Sequence, residues 1–349
     1  MVLIIANVKL AAMRNVHLVI PDLFLSRDFV AGVCADLCLP ALEKMLARGV
    51  SSVSTRTGEG ASLEELLCGM FGVSCQNDVP IAPVSAAFDG LGGGCWLRAD
   101  PVHLQLQREQ LVLLTNMEIS AGEAGQLCAA LNEYFAGQDM EFLAPHPQRW
   151  YVRLDRLPDI ETVPLSQADG RNVHGLLPKG KEAAHWHRVF NEVQMLLFAH
   201  PVNEAREARG ELPVNSLWLW GGGCGTSVPL RKTYDFVSSD EVLAEMFASA
   251  AGIPFSSWQE QWRAEKNSGR QLLVWTGLRS ALQRGDLDAW RAALQKFETG
   301  YAQPLWQALR AGKISQLQVD VLGGERVRHL LLTRADAWAF WRRTKSLFQ

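Results

Sequence analysis

Short apolar runs that stop at a turn and stand beside a helical stretch constrain this 349-residue chain more than anything else in it. HLVIP at 17–21 ends at Asp22, and LPALEKMLARG from Leu39 follows with apolar residues at helical spacing, closed by Gly49. SLWLW at 216–220 runs into Gly221, Gly222 and Gly223, the run at 272–275 into Thr276 and Gly277, and LQVDV at 317–321 into Gly323. Runs that are apolar at every position are strands covered on both faces. Their alternation with helices predicts an α/β fold, a mostly parallel sheet flanked by helices. In such a sheet the site is expected at the carboxyl ends of the strands.

Between 95 and 200 the pattern changes. RWYVRLD near Arg149 and LVLL near Leu111 mix with helical stretches such as GQLCAALNEYF and WHRVFNEVQMLLFAH, which suggests a separate α+β unit. The expected division is therefore a core of residues 13–94 and 201–349 with a lid-like α+β domain inserted at 95–200. Residues 1–12 are expected to be a loose extension, since Met13 begins a more natural opening and the first dozen residues lack the basic start of a secretory signal. Ser62 with Glu65, and Thr333 with Asp336, have capping-box spacing and start helices. The Pro/Gly-rich stretch 79–94, with PIAP and GLGGG, reads as turns.

Composition removes several classes of function. The net charge of −3, with both signs interspersed, provides no field for a polyanion, so nucleic acid is not an expected partner. No apolar stretch approaches the roughly 20 residues that span a bilayer, so no membrane is expected either. Seven cysteines without a CxxC pair fit reduced thiols in a cytoplasm, used as small buried hydrophobes, and Cys224 between glycines is read as a structural residue.

Several blocks, in order, resemble the archaeal-type 2,3-bisphosphoglycerate-independent phosphoglycerate mutases of the alkaline phosphatase superfamily. AHPVNEAREARGELPVNSLWLWGGG from Ala199 resembles the family's His-Pro-x-Asn-x-x-Arg motif leading into a strand and glycine turn. PALEKMLARG resembles the helix that precedes the nucleophile, CWLRADPVHL the entry to the inserted lid, and EISAGEAGQL the lid's arginine-rich segment. Within that set the chain looks most like a bacterial branch of RpfE-type regulatory proteins. The resemblance implies an alkaline-phosphatase-like core. It also implies a phosphoryl group moved between hydroxyls of glycerate through a phosphoserine, beside two divalent metals held by carboxylates and imidazoles.

Against that expectation the residues divide. Asp22 ends the first strand where the first metal carboxylate is implied, although a lone Asp also serves turns. Ser62 is the best-placed nucleophile, at a helix start that favours phosphate, but capping alone accounts for it; an alternative register points to Gly58 or Glu59. After LLVW the implied His and Asp donors are replaced by VWTGLRSALQRGDLDAW, in which Asp286 is retained, and Asp320 is followed by Val321 rather than His. Arg98, Asp169, Asn203 and Arg206 match implied ligand-binding positions, Arg206 being able to fork onto a phosphate or carboxylate. The lid arginines have become Ser120, Ala121, Gly122, Glu123 and Gly125. His185 and His187, two apart, point to different faces of a helix, the glycine runs lack a P-loop lysine, and the tryptophans are read mainly as core.

These readings predict a cytoplasmic, non-catalytic regulatory relative that binds a small phosphorylated or carboxylate ligand or a protein partner, with no cofactor. The alternative is an active mutase or phosphatase using manganese, magnesium or zinc around Asp22, Ser62, Asp286 and Asp320.

Overall fold

A computed structural model describes residues 14–24, 37–55, 62–75, 78–225, 230–264, 269–323, 326–342 and 344. The expected extension at 1–12 and the alternative positions Gly58 and Glu59 lie outside the described residues. The chain divides into two compact units, the described residues of Met1–Ala61 with Lys232–Gln349, and those of Ser62–Arg231. The stretch 95–200 lies inside the second unit, together with 62–94 and 201–231. Among the described residues no helix is long and apolar enough to cross a membrane.

With strands numbered along the chain, the first unit holds β1 (Asn15–Pro21), β2 (Val50–Thr55), β8 (Phe236–Ser239), β9 (Phe255–Ser257), β10 (Arg270–Val274), β11 (Gln316–Gly323) and β12 (Arg326–Thr333). They form one sheet in the order β2-β12-β11-β1-β10-β8-β9. β1 runs parallel to both β10 and β11, and β8 to both β10 and β9, while β12 and β2 are antiparallel additions at one edge. The fold is thus a mixed α/β fold with a mostly parallel sheet and flanking helices, as the alternation of runs predicts. One face of the sheet, with Val16, Leu18, Ile20, Leu317 and Val319, packs under the helices Pro40–Arg48, Leu287–Phe297 and Gln303–Arg310.

Helix Pro40–Arg48 begins after Leu39, which cannot cap it. Its first amides are satisfied from far along the chain: the buried Glu298 carboxylate accepts from Ala41 N at 2.7 Å and Leu42 N at 3.1 Å. A carboxylate there also favours the positive end of the helix dipole. Glu298 opens a single π-helical stretch, Glu298–Ala302, between two α-helices.

The second unit is built on β3 (Gly94–Gln107), β4 (Gln110–Leu114), β5 (Met140–His146), β6 (Arg149–Leu154) and β7 (Ser216–Gly225), all antiparallel. Here one expectation fails. The apolar run at 216–220 predicts a strand of the parallel sheet, yet it is β7, paired with β3. Its continuous apolar character has the same physical cause, cover on both sides, but the cover comes from helices Ile81–Phe88 and Ala183–Phe198. The first of these also corrects the reading of 79–94 as turns, because the prolines fall in and just before its first turn, where no amide is required. Nor do Gly221, Gly222 and Gly223 form a turn, since they lie within β7. A Cβ on Gly223 would stand 2.6 Å from Pro83 Cγ, so the missing side chain lets that helix approach.

The thiol reading fails as well. Cys95 and Cys224 face each other in register across β3 and β7, with Cα atoms 4.0 Å apart, and are joined as a disulfide. Cys38, Cys68, Cys75 and Cys128 take part in no disulfide. Trp262 is core and Trp258 stacks on Tyr301, whereas Trp338 and Trp341 are exposed and stand outside the reading of the tryptophans as mainly core.

Candidate functional site

The carboxyl ends of β1, β8 and β10 carry a charged cluster. β1 ends at Pro21, and Asp22 takes a left-handed conformation, φ 61°, which a short Asx side chain tolerates. Its carboxylate accepts from Arg279 Nε at 3.3 Å. Arg279 opens the short helix after β10 and also reaches Glu241 at 3.6 Å, just beyond β8. Between them Asp240 accepts from Thr276 N at 2.7 Å, and burial raises its pKa above the usual carboxylate range, against the pull of that amide and of Arg279. The site therefore has three carboxylates around one guanidinium. Sequence reasoning missed Arg279, Asp240 and Glu241. The signal was VWTGLRS itself, in which an arginine appears four residues after the tryptophan that replaces an implied imidazole.

The other two carboxylates implied as metal ligands are engaged separately. Asp286 caps helix Leu287–Phe297, accepting from Ala289 N at 2.9 Å. Asp320, 1% exposed, accepts from two imidazoles, His17 Nε2 at 2.9 Å and His329 Nδ1 at 3.0 Å. Burial alone would raise its pKa, but these two partners bring it below the usual carboxylate range. Among the described residues no group of three His, Cys, Asp or Glu side chains is arranged to hold a metal.

Residues implied for ligand and phosphoryl binding lie in the second unit. Ser62 is the N-cap of helix Leu63–Phe71, its Oγ accepting from Glu65 N at 3.0 Å. Arg98 is buried and bonds Asp100 Oδ1 through Nε at 3.2 Å and Nη2 at 2.5 Å, between the faces of Tyr151 and Trp220. Asp169 accepts from Thr115 Oγ1 at 2.9 Å. Asn203 donates to the carbonyls of Leu197 and Val214 and accepts from Val214 N, which ties helix Pro201–Ala208 to the entry of β7. Arg206 donates to Leu212 O at 2.9 Å, Glu118 O at 3.0 Å and Glu123 Oε2 at 3.2 Å. His185 and His187 lie on one helix, and His187 Nε2 is 2.8 Å from Pro178 O.

Glu123 completes that corner. It closes a capping box with Ser120 and also accepts from Arg209. Burial opposes its ionisation, yet the Ser120 amide and hydroxyl with the two arginines bring its pKa down to about 2. A carboxyl whose folded pKa lies below its unfolded value adds stability above the unfolded value, near 4.3, and loses it as pH falls toward the folded one. Stability is therefore expected to drop between roughly pH 4.5 and 2 by more in the parent protein than in Glu123→Gln, measured by urea unfolding at each pH. Parallel curves would remove Glu123 from the acid transition.

None of Arg98, Asp169, Asn203 and Arg206 lines a cavity of about 680 Å³ in this unit. That cavity is bounded by Gly72, Asp78, Arg156, Asp159, Glu182, Gly222, Gly223 and Cys224 among others. Burial raises the pKa of Asp78, although Thr162 Oγ1 at 2.6 Å and Gly222 N at 3.1 Å donate to it. Arg156 is paired with Glu182 at 2.7 Å, so the lining offers an anion little free positive charge.

No family model matches the chain. It is 29% identical over 120 residues to the 2,3-bisphosphoglycerate-independent phosphoglycerate mutase of Methanosarcina barkeri, covering 34% of this chain and 30% of that protein. To the protein of the same name from Methanosarcina acetivorans it is 26% identical over 201 residues, 53% of this chain and 48% of that protein. A probable mutase of Geobacter sulfurreducens matches at 28% over 151 residues, 41% and 37% of the two chains. The matches thus span less than half of each relative. Among solved structures, the PH0037 protein from Pyrococcus horikoshii aligns with TM-score 0.57 at 14% identity, covering 92% of this chain and 88% of that one, a likeness of fold. Together the sequence matches indicate the archaeal-type cofactor-independent phosphoglycerate mutases as relatives of this chain, at low identity.

Proposed function

We propose that this chain is a phosphoglycerate mutase-like regulatory protein that no longer transfers phosphate, a cytoplasmic relative of the RpfE type acting through a protein partner. The observation that carries the reading is the Arg279–Asp22 pair. A guanidinium occupies the carboxylate that the resemblance implies for a metal, and it brings a fixed positive charge to the same strand ends. Asp286 and Asp320 are held by a helix end and by two imidazoles. This donor set does not fit two dications, which need several oxygen or nitrogen donors converging on each ion.

A protein partner is favoured over a phosphorylated or carboxylate ligand because Arg98 and Arg206 are committed to buried internal acceptors. A coupled mutase assay with added manganese is expected to show no turnover in the parent protein or in Ser62→Ala. Turnover abolished by Ser62→Ala would overturn the reading. Millimolar 3-phosphoglycerate is expected to leave the melting temperature unchanged, whereas a rise abolished by Arg279→Ala would restore the anionic ligand.

A further inference from the structure

We propose that Ser54, His329 and Asp320 form a nucleophilic triad that transfers acyl groups from carboxylic esters bearing a short apolar chain. The three residues stand on the adjacent strands β2, β12 and β11, on the sheet face opposite the helix-covered core. Asp320 and His329 are direct cross-strand partners, and Ser54 lies opposite Val327. His329 Nδ1 is 3.0 Å from Asp320 Oδ1, and His329 Nε2 is 2.8 Å from Ser54 Oγ. Asp320 is buried while Ser54 is exposed, so the orienting carboxylate is shielded and the hydroxyl is open to a substrate.

The proton positions follow from the carboxylate. An ionised Asp320 only accepts, so His329 donates Nδ1–H to it and presents the Nε2 lone pair to the Ser54 hydroxyl. The same rule orders the other side: His17 donates Nε2–H to Asp320 Oδ2, and Tyr234 O–H donates to His17 Nδ1 at 2.7 Å. Asp320 is thus fixed at both oxygens, with Gln318 Nε2 at 3.3 Å from Oδ1. Beside the imidazole on the same face, Val50 and Leu331 are paired in register and both exposed, an apolar contact for the acyl chain.

In the reaction Ser54 Oγ bonds to the ester carbonyl carbon as its proton passes to His329 Nε2. The tetrahedral adduct then breaks the ester C–O bond, and the departing alcohol takes the proton from His329. Water, activated by the same nitrogen, bonds to the acyl carbon, releases the carboxylic acid and regenerates the serine.

The full-length protein is treated with a fluorophosphonate probe and the adduct mapped by peptide mass spectrometry. The adduct is expected on Ser54, forming roughly 100-fold or more slowly in His329→Gln and at the parent rate in Ser52→Ala. p-Nitrophenyl butyrate is expected to give a burst of one p-nitrophenolate per chain that Ser54→Ala abolishes while its melting temperature stays at the parent value. Failure to label Ser54, an undiminished rate in His329→Gln, or a burst retained in Ser54→Ala would each overturn the proposal.

Discussion

Arg206→Ala is expected to lose about 3–5 kcal/mol of stability, because the substitution empties a position where a buried guanidinium serves three acceptors. Arg206 is 1% exposed. Without it, the carbonyls of Leu212 and Glu118 lose their donor, and Glu123 loses its buried cation, keeping only Arg209 and Ser120. Arg206→Lys restores only part of this, since a single ammonium cannot reproduce the planar fork that spans the site. Urea unfolding followed by tryptophan fluorescence, which reports on Trp150, Trp186 and Trp218 in the same unit, should show the midpoint falling in the order parent, Lys, Ala. An Arg206 whose role was to hold a phosphate would leave the ligand-free midpoint where it was.

Reducing Cys95–Cys224 is the second large effect. The bridge closes a loop of 129 residues, and in the chain-entropy account such a link stabilises by about 5 kcal/mol through the unfolded state. The two residues already face each other across β3 and β7, so reduction leaves the strand pairing available and acts on the unfolded chain. Melting with and without a thiol reductant should separate by several degrees in the parent protein and coincide in the Cys95→Ala, Cys224→Ala double variant. Coincident curves for the parent would deny the bridge in solution. A cytoplasm keeps most thiols reduced, so there the less stable form is the expected one.

What could be read in advance follows how local each signal is. β1, β10 and β11 were legible because burial on both faces makes most of their central positions apolar, despite His17, Gln318 and Asp320. The Ser62 and Thr333 caps were legible because their chemistry closes within three residues. The apolar run of β7 does not reveal its sheet, because apolar cover does not record which layer supplies it. The burial of Arg206 and Arg98 could not be read, since an arginine's acceptors lie wherever the fold brings them: Glu118 is 88 residues from Arg206. The same holds for His17 and Asp320, 303 residues apart, which become neighbours only through strand order.

That strand order also sets a timetable for synthesis. β1 is made well before both neighbours that cover its edges, since β10 and β11 begin about 255 and 301 residues later. At about 5–20 residues per second, β1 waits roughly 13–50 s for its first partner. Helix Pro40–Arg48 waits as long for its capping carboxylate, 257 residues downstream. Residues Ser62–Arg231 form one compact unit that is contiguous in sequence. Nascent chains stalled far enough past residue 231 for that residue to have left the ribosome should therefore protect the second unit from protease while leaving β1 open to chaperones, so β10 and the residues after it decide whether the first unit forms at all.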